Sequence, residues 1–148
     1  MDDLNDVYNE LIMEHSMNSY NKRKLENADF SCMGHNPNCG DEITLEIKLN
    51  GNIIEDMAFS GHGCAISQAS TSIMIDTLKG KTIDEARVII ENYMNMIFEK
   101  DYDPEILEEA IAFYNTHKQA NRIKCATLGW KGITQLIDES EKEETHGK

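Results

Sequence analysis

Apolar and polar residues alternate over positions 43–49, and this period of two predicts the clearest β-strand of the chain. Asn50-Gly51 follows and favours a type I′ turn, so residues 52–60 are predicted to return antiparallel to the first strand. A shorter strand predicted at about residues 28–33 completes a three-stranded meander. The apolar residues expected to face the core from the hairpin are Ile43, Leu45, Ile47, Leu49, Ile53, Met57 and Phe59.

A period of about 3.6 residues predicts helices on both sides of the meander. Thr82 with Glu85 forms the pattern of a capping box, and Asp103-Pro104 pairs an N-cap carboxylate with proline at the first helical position. The predicted fold class is therefore α+β: an N-terminal helix, a three-stranded antiparallel meander, then a C-terminal set of helices packed on the sheet. The predicted helices cover about residues 3–16, 66–80, 82–98, 104–117 and 122–137.

The length of 148 residues predicts a single domain over residues 1–137. Residues 138–148 are charged and lack apolar anchors, which predicts a disordered tail. Lys and Arg number 14 against 27 Asp and Glu, and the net charge of −13 argues against nucleic acid or a membrane surface as a partner. No secretory signal and no apolar run of ~20 residues is found, so we expect a cytoplasmic protein.

Three of the four cysteines lie in segments suited to presenting a thiolate. Cys39 lies in a Pro- and Gly-containing loop two residues before Asp41. Cys64 follows a glycine-rich turn at a predicted helix start, where free amides favour the thiolate. Cys125 follows Arg122 and Lys124, which should also favour the thiolate. Three sulfur donors and one carboxylate make a four-ligand set for a thiophilic metal such as zinc or iron.

The residues alone leave inert burial open as an alternative, because free cysteine is among the most buried residue types. Cys32 lies in a predicted strand without Gly, Pro or a cation beside it, so we expect it to be buried and not to bind metal. His35 and His62 flank the cysteine segments and could act as ligands. Histidines near loops are more often hydrogen-bonded or solvated.

The segments NPNCGD (36–41), GHGCAIS (61–67) and RIKCATLGW (122–130) resemble, in this order, those of the IscU/SufU (NifU N-terminal) family of iron-sulfur cluster assembly proteins. The likeness covers about residues 4–137. The scaffold branch carries a histidine directly before its third cysteine, where this chain has Lys124. The stretch from Gly80 to about Tyr102 also resembles the insertion of the SufU branch, to which we assign the chain.

The resemblance implies that Cys39, Asp41, Cys64 and Cys125 bind a tetrahedral Zn²⁺ ion. It further implies that Cys39 accepts persulfide sulfur from a pyridoxal-phosphate (PLP)-dependent cysteine desulfurase, which the chain also activates, and that the sulfur passes to downstream iron-sulfur assembly proteins. The chain would thus be a sulfurtransferase-like acceptor. The alternative is a scaffold that builds a [2Fe-2S] cluster on the same cysteines, with iron in place of zinc and Asp41 as a labile ligand. A purely structural zinc site ranks last, because the four ligands of such sites are usually Cys and His residues.

Overall fold

The computed structural model describes residues 2–17, 19–37 and 40–146, and it confirms the α+β class with a helix before a three-stranded antiparallel sheet and helices after it. Two 3₁₀ segments precede the last helix. The elements in chain order are α1 (Asp2–Met17), β1 (Phe30–Asn36), β2 (Asp41–Asn50), β3 (Ile53–His62), α2 (Ala65–Leu78), α3 (Ile83–Ile97), the 3₁₀ segments Pro104–Phe113 and Thr116–Lys118, and α4 (Ala120–His146).

The hairpin between β2 and β3 contains a β-bulge that changes which residues face the core. In the strand register Lys48 is opposite Asp56 and Leu49 opposite Ile54, so Glu55 is the extra residue with no Cα partner on β2. An extra residue in one strand reverses its alternation. Ile54 is therefore fully buried whereas Ile53 is 41% exposed, and the expectation for Ile53 was wrong.

The turn of this hairpin also differs from the prediction. Its two central residues are Gly51 and Asn52, and only Gly51 has a positive φ, of 63°. A type I′ turn needs positive φ at both central residues, whereas a type II′ turn needs it at the first alone. The observed φ signs match type II′.

Helix α2 lies at the centre of the molecule and holds the candidate site against the sheet and α4. It packs against α1, α4 and β3, and most of its residues are buried. Trp130 of α4 stacks on Tyr93 of α3 with ring centroids 3.8 Å apart and planes 7° apart. Trp130 Nε1 donates to Ser70 Oγ of α2 at 3.1 Å, and Tyr93 donates to the Ala126 carbonyl at 2.8 Å. These contacts fix α2 and α4 relative to each other.

The helix predicted over residues 104–117 is instead mainly the 3₁₀ segment Pro104–Phe113. Asp103 caps its start as predicted, since Oδ1 accepts from the Glu105 N–H at 3.1 Å. The segment is interrupted at Glu108, with φ 50° and ψ −128°. The three-residue period of a 3₁₀ helix places every third side chain on one face. The buried residues Leu107, Ala110 and Phe113 have this spacing.

Helix α4 continues to His146, nine residues beyond Ile137, where the predicted domain ends. Arg87 of α3 pairs with Asp138 at 2.9 Å and with Glu141 at 2.8 Å. The Ser140 side chain is buried against the molecule. Through these contacts the charged turns at the end of α4 pair with α3 and pack on the molecule. No local sequence pattern indicated them. Within the described residues, none of the helices combines the length and the hydrophobicity required to cross a bilayer.

The capping box of α3 is confirmed and gives a stability prediction. Thr82 Oγ1 accepts from the Glu85 N–H at 3.1 Å, and Glu85 Oε1 accepts from the Thr82 N–H at 3.0 Å. Replacing an N-cap threonine by alanine costs about 1 kcal/mol. Thr82→Ala should lower the free energy of unfolding in urea by that amount. Glu91→Ala, an exposed change on the same helix, should alter it by less than about 0.5 kcal/mol. Equal losses in the two variants would contradict the capping role.

Candidate metal centre

Asp41, the first residue of β2, is fully buried, and one of its carboxylate oxygens has no partner among the described residues. Its Oδ1 accepts from the Cys64 N–H at 2.7 Å and from the Ser67 hydroxyl at 3.1 Å. Its Oδ2 is buried and has no hydrogen bond from any described residue. A buried carboxylate oxygen left unpaired is costly. The Asp41 Oδ2 atom therefore points to a cation as its natural partner.

Cys64 is the N-cap residue of α2, with extended backbone angles (φ −71°, ψ 167°). Its Sγ accepts from the Ser67 N–H at 3.4 Å. Gly63 permits the close approach of this turn to Asp41, since a Cβ at position 63 would lie 2.8 Å from Asp41 Oδ1 and 2.5 Å from Ser67 Oγ. The helix N-terminus directs free amides and the positive end of the helix dipole at this sulfur.

Cys125 lies on α4, which packs on β1 and α2, and its side chain is close to those of Asp41 and Cys64. Its side chain is buried, with the residue only 3% exposed, and Asn36 Nδ2 donates to its Sγ at 3.8 Å. One ligand atom each from Asp41, Cys64 and Cys125 lies within 4.8 Å of the others. Two sulfurs bound tetrahedrally to one zinc ion at ~2.3 Å are about 3.8 Å apart. The three residues thus fit a single metal ion.

Cys39, the remaining predicted ligand and the predicted sulfur acceptor, lies outside the described residues. It precedes Asp41 by two positions, and Gly40 between them has a φ of 69°. That conformation favours glycine over other residues. Ligation by Cys39 stays a prediction.

The other candidates are not part of this group. Cys32 is partly buried, and its Sγ donates to the Gly132 carbonyl at 3.4 Å, away from the cluster. Burial, together with the charge of Glu139, raises the pKa of Cys32 to about 11. His35 and His62 are both exposed, and neither belongs to a metal-binding group among the described residues.

Asn36 and Ser67 also support the site, although neither was predicted to be a functional residue. Ser67 contacts both Asp41 and Cys64, and Asn36 is directly opposite Asp41 in the β1–β2 ladder. The signal for Ser67 was its position three residues after the N-cap Cys64, where a side chain can reach the helix start. No comparable signal identified Asn36, which meets Cys125 only in the folded chain.

The family model for the NifU-like N terminal domain matches residues 7–145. The chain belongs to this family. It is 40% identical over 139 residues to the zinc-dependent sulfurtransferase SufU of Bacillus subtilis (strain 168), covering 93% of this chain and 94% of that protein. It is 34% identical to the iron-sulfur cluster assembly scaffold protein IscU of Streptococcus pyogenes serotype M1, covering 93% of this chain and 86% of the relative.

Solved structures of this family have the same fold. FiSufU, a SUF-system protein from Fervidobacterium islandicum AW-1, superposes with a TM-score of 0.84 at 41% identity, covering 86% of this chain and 94% of that one. The N-terminal part of a NifU-like protein from Brucella abortus gives a TM-score of 0.83 at 23% identity, covering 95% and 98%. The latter likeness concerns the fold alone. Iron-sulfur assembly proteins of the SufU and IscU kinds are thus the relatives of this chain.

Proposed function

We propose that this protein is a zinc-dependent sulfur acceptor for iron-sulfur cluster biogenesis, taking persulfide sulfur from a PLP-dependent cysteine desulfurase. The observation that carries the proposal is the unpartnered, buried Oδ2 of Asp41 beside the sulfurs of Cys64 and Cys125. The 40% identity to a zinc-dependent sulfurtransferase supports the same conclusion. The cytoplasm, where such a desulfurase and reduced thiols coexist, is the expected location.

The donor set suits zinc and has the character of an exchangeable site. Cys64, Cys125, Asp41 and Cys39 supply three thiolates and one carboxylate, all of them ligands that zinc accepts. When bound, zinc supplies a positive charge that keeps the ligating thiols deprotonated and masked. Structural zinc sites usually close with Cys and His ligands, so the aspartate favours an ion whose coordination changes during function.

Cys39 is the proposed nucleophile of the sulfur transfer. Its thiolate attacks the outer sulfur of the persulfide on the catalytic cysteine of the desulfurase. A new sulfur–sulfur bond forms on Cys39, the sulfur–sulfur bond of the donor breaks, and the donor cysteine leaves as a thiolate. The exchange balances without an external oxidant or reductant. The PLP belongs to the desulfurase.

Arg122 and Lys124 are positioned to assist an anionic sulfur donor. Both side chains are exposed on the first turns of α4, and both closely precede Cys125 in a chain whose net charge is −13. A local pair of cations in such a chain attracts a persulfide anion towards the site. Lys124 also occupies the position at which the scaffold branch of the family carries a histidine.

A second candidate function is the assembly of a [2Fe-2S] cluster on the same cysteines. The observation that favours it is the 34% identity to a protein named as an IscU scaffold. Asp41 would then be the weak oxygen ligand that allows the cluster to leave. Iron and sulfide would be cargo in that case, not resident cofactors.

Metal analysis and desulfurase kinetics distinguish the two functions. Protein purified from its native cytoplasm should contain about one zinc per chain, as expected for one four-ligand site. It should also raise the turnover of a cysteine desulfurase from the same cell. An acceptor function is contradicted if the protein lacks zinc, leaves turnover unchanged, and after anaerobic reconstitution holds a coloured cluster that it transfers to an apo-ferredoxin.

A further inference from the structure

His15, Asp76 and Glu109 form a second group of potential ligands. This group lies at the C-terminal end of α2, whereas Cys64 lies at its N-terminal end. His15 lies in the last turn of α1, Asp76 near the end of α2, and Glu109 in the 3₁₀ segment Pro104–Phe113. His15 Nε2 is 3.8 Å from Asp76 Oδ2 and 3.6 Å from Glu109 Oε1. One ligand atom from each residue lies within 4.8 Å of the others. Three separate elements thus direct nitrogen and oxygen donors at one point.

A contact of Nδ1, the ring nitrogen that does not face the carboxylates, holds the imidazole of His15 in one orientation. Its side chain is only 9% exposed, and Nδ1 lies 2.7 Å from Ser72 Oγ. Asn21 Nδ2 donates to the same Ser72 Oγ at 3.3 Å, and Ser19 Oγ lies 2.6 Å from it, so the Ser72 hydroxyl can give its own proton to Ser19 and accept from Nδ1. When Nδ1 donates to Ser72, Nε2 carries the lone pair, which is the tautomer that a metal ligand requires. The buried Nε2 then faces the two carboxylates.

Asp76 is oriented in a similar way. Its Oδ1 accepts from the Tyr20 hydroxyl at 2.7 Å and from Asn21 Nδ2 at 3.0 Å. These two bonds hold the carboxylate so that Oδ2 is the oxygen nearer His15. The hydrogen bond to Asp76 also raises the pKa of Tyr20 to about 12, so Tyr20 remains a donor at neutral pH.

The distances fit two ligands of one ion better than a hydrogen bond. Separations of 3.6 and 3.8 Å between nitrogen and oxygen exceed the usual hydrogen-bond range. Two donors at ~2.0–2.2 Å from one tetrahedral ion lie roughly 3.3–3.6 Å apart. The separations of His15 Nε2 from Glu109 Oε1, 3.6 Å, and from Asp76 Oδ2, 3.8 Å, lie at and just above this range.

The local charge is also unbalanced. A cavity of about 230 Å³ adjoins the group, and Glu14 lines it together with His15, Asp76 and Glu109. Its remaining lining residues are uncharged, and no Lys or Arg of the described ranges is among them. Three carboxylates therefore face a single imidazole. A divalent cation would offset this excess of negative charge.

We propose that His15, Asp76 and Glu109 form a second metal site, which takes a divalent first-row transition ion through nitrogen and oxygen donors. Its ligands contain no sulfur, so it selects differently from the cysteine site and suits Mn²⁺, Fe²⁺ or Zn²⁺. The bound ion joins α1 to α2 and to the interrupted 3₁₀ segment. The site is independent of sulfur acceptance, because none of its residues lies in the cysteine cluster.

Mn²⁺ binding to the full chain tests the proposal. Mn²⁺ prefers such donors to thiolates, so the cysteine site can keep its own metal during the titration. Electron paramagnetic resonance of free Mn²⁺ should show one bound ion per chain. Glu109→Gln should weaken binding by at least about 10-fold, as expected for loss of a charged ligand. Glu108→Gln is the matched control, because its carboxylate is 51% exposed against 52% for Glu109 but pairs with Lys81. It should change the affinity by less than about twofold.

Two further readouts make the result decisive. Mn²⁺ should raise the melting temperature of the wild type and of Glu108→Gln by the same amount, and that of Glu109→Gln by clearly less at the same Mn²⁺ concentration. The zinc content and desulfurase activation should be the same in all three proteins. Failure of the wild type to bind Mn²⁺ at micromolar to low millimolar concentration overturns the proposal. Equal affinities of the wild type and Glu109→Gln also overturn it. Neither outcome affects the proposed sulfur acceptance.

Discussion

Replacing Cys39 by alanine should reduce sulfur acceptance to below about 1% of the wild-type rate, because the substitution removes the nucleophile itself. After incubation with the desulfurase and cysteine, mass spectrometry of the wild type should show one added sulfur atom on the peptide that contains Cys39. The same peptide of the variant should show none. The rate of alanine formation by the desulfurase should fall to the rate without this protein.

Cys32→Ala is the matched control for this experiment. The Cys32 thiol is partly buried with a pKa raised to about 11, so it is protonated and unreactive at neutral pH. Its replacement should leave sulfur acceptance within about twofold of the wild type, as expected for a residue outside the reaction. If Cys39→Ala still activates the desulfurase fully, the acceptor role moves to Cys125 and the proposed chemistry of Cys39 is wrong.

Asp41→Ala should lower the zinc affinity by at least about 100-fold, since loss of an outer-shell partner alone costs about 10–100-fold. The variant removes the buried Oδ2, the atom that has no other partner among the described residues. It also removes Oδ1, the acceptor of the Cys64 N–H and one of two acceptors near the Ser67 hydroxyl. Competition with a chromophoric zinc chelator measures the affinity directly.

Asp41→Asn separates ligation from folding in this experiment. The asparagine keeps an amide oxygen that can accept from the Cys64 N–H, while it removes the negative charge. We expect its zinc affinity to fall as well, with the circular dichroism spectrum unchanged. Glu42→Ala, an exposed change at the next residue, should leave the affinity within about twofold. Zinc binding as tight in Asp41→Ala as in the wild type would show that Asp41 is not a ligand.

The local pattern predicted the elements well where a single face of a strand or helix decides the structure. The alternation over 43–49 identified β2, and Thr82 with Glu85 located the start of α3. The errors occurred where distant contacts decide. A bulge in β3 buries Ile54 in place of Ile53. The charged end of α4 also pairs with Arg87, which is more than 50 residues away in the sequence.

The sequence by itself determined the donor chemistry of the first site. Neighbouring residues alone indicate a helix start at Cys64, a Pro- and Gly-containing loop before Asp41, and two cations just before Cys125, and the three motifs indicated the family. Their convergence was decided only by the tertiary structure, because it depends on α4 packing against β1 and α2. The group of His15, Asp76 and Glu109 was not predicted at all. Its members are separated by 61 and 33 residues, and none of them lies in a recognisable sequence motif. They come together only where α1, α2 and the 3₁₀ segment pack against one another.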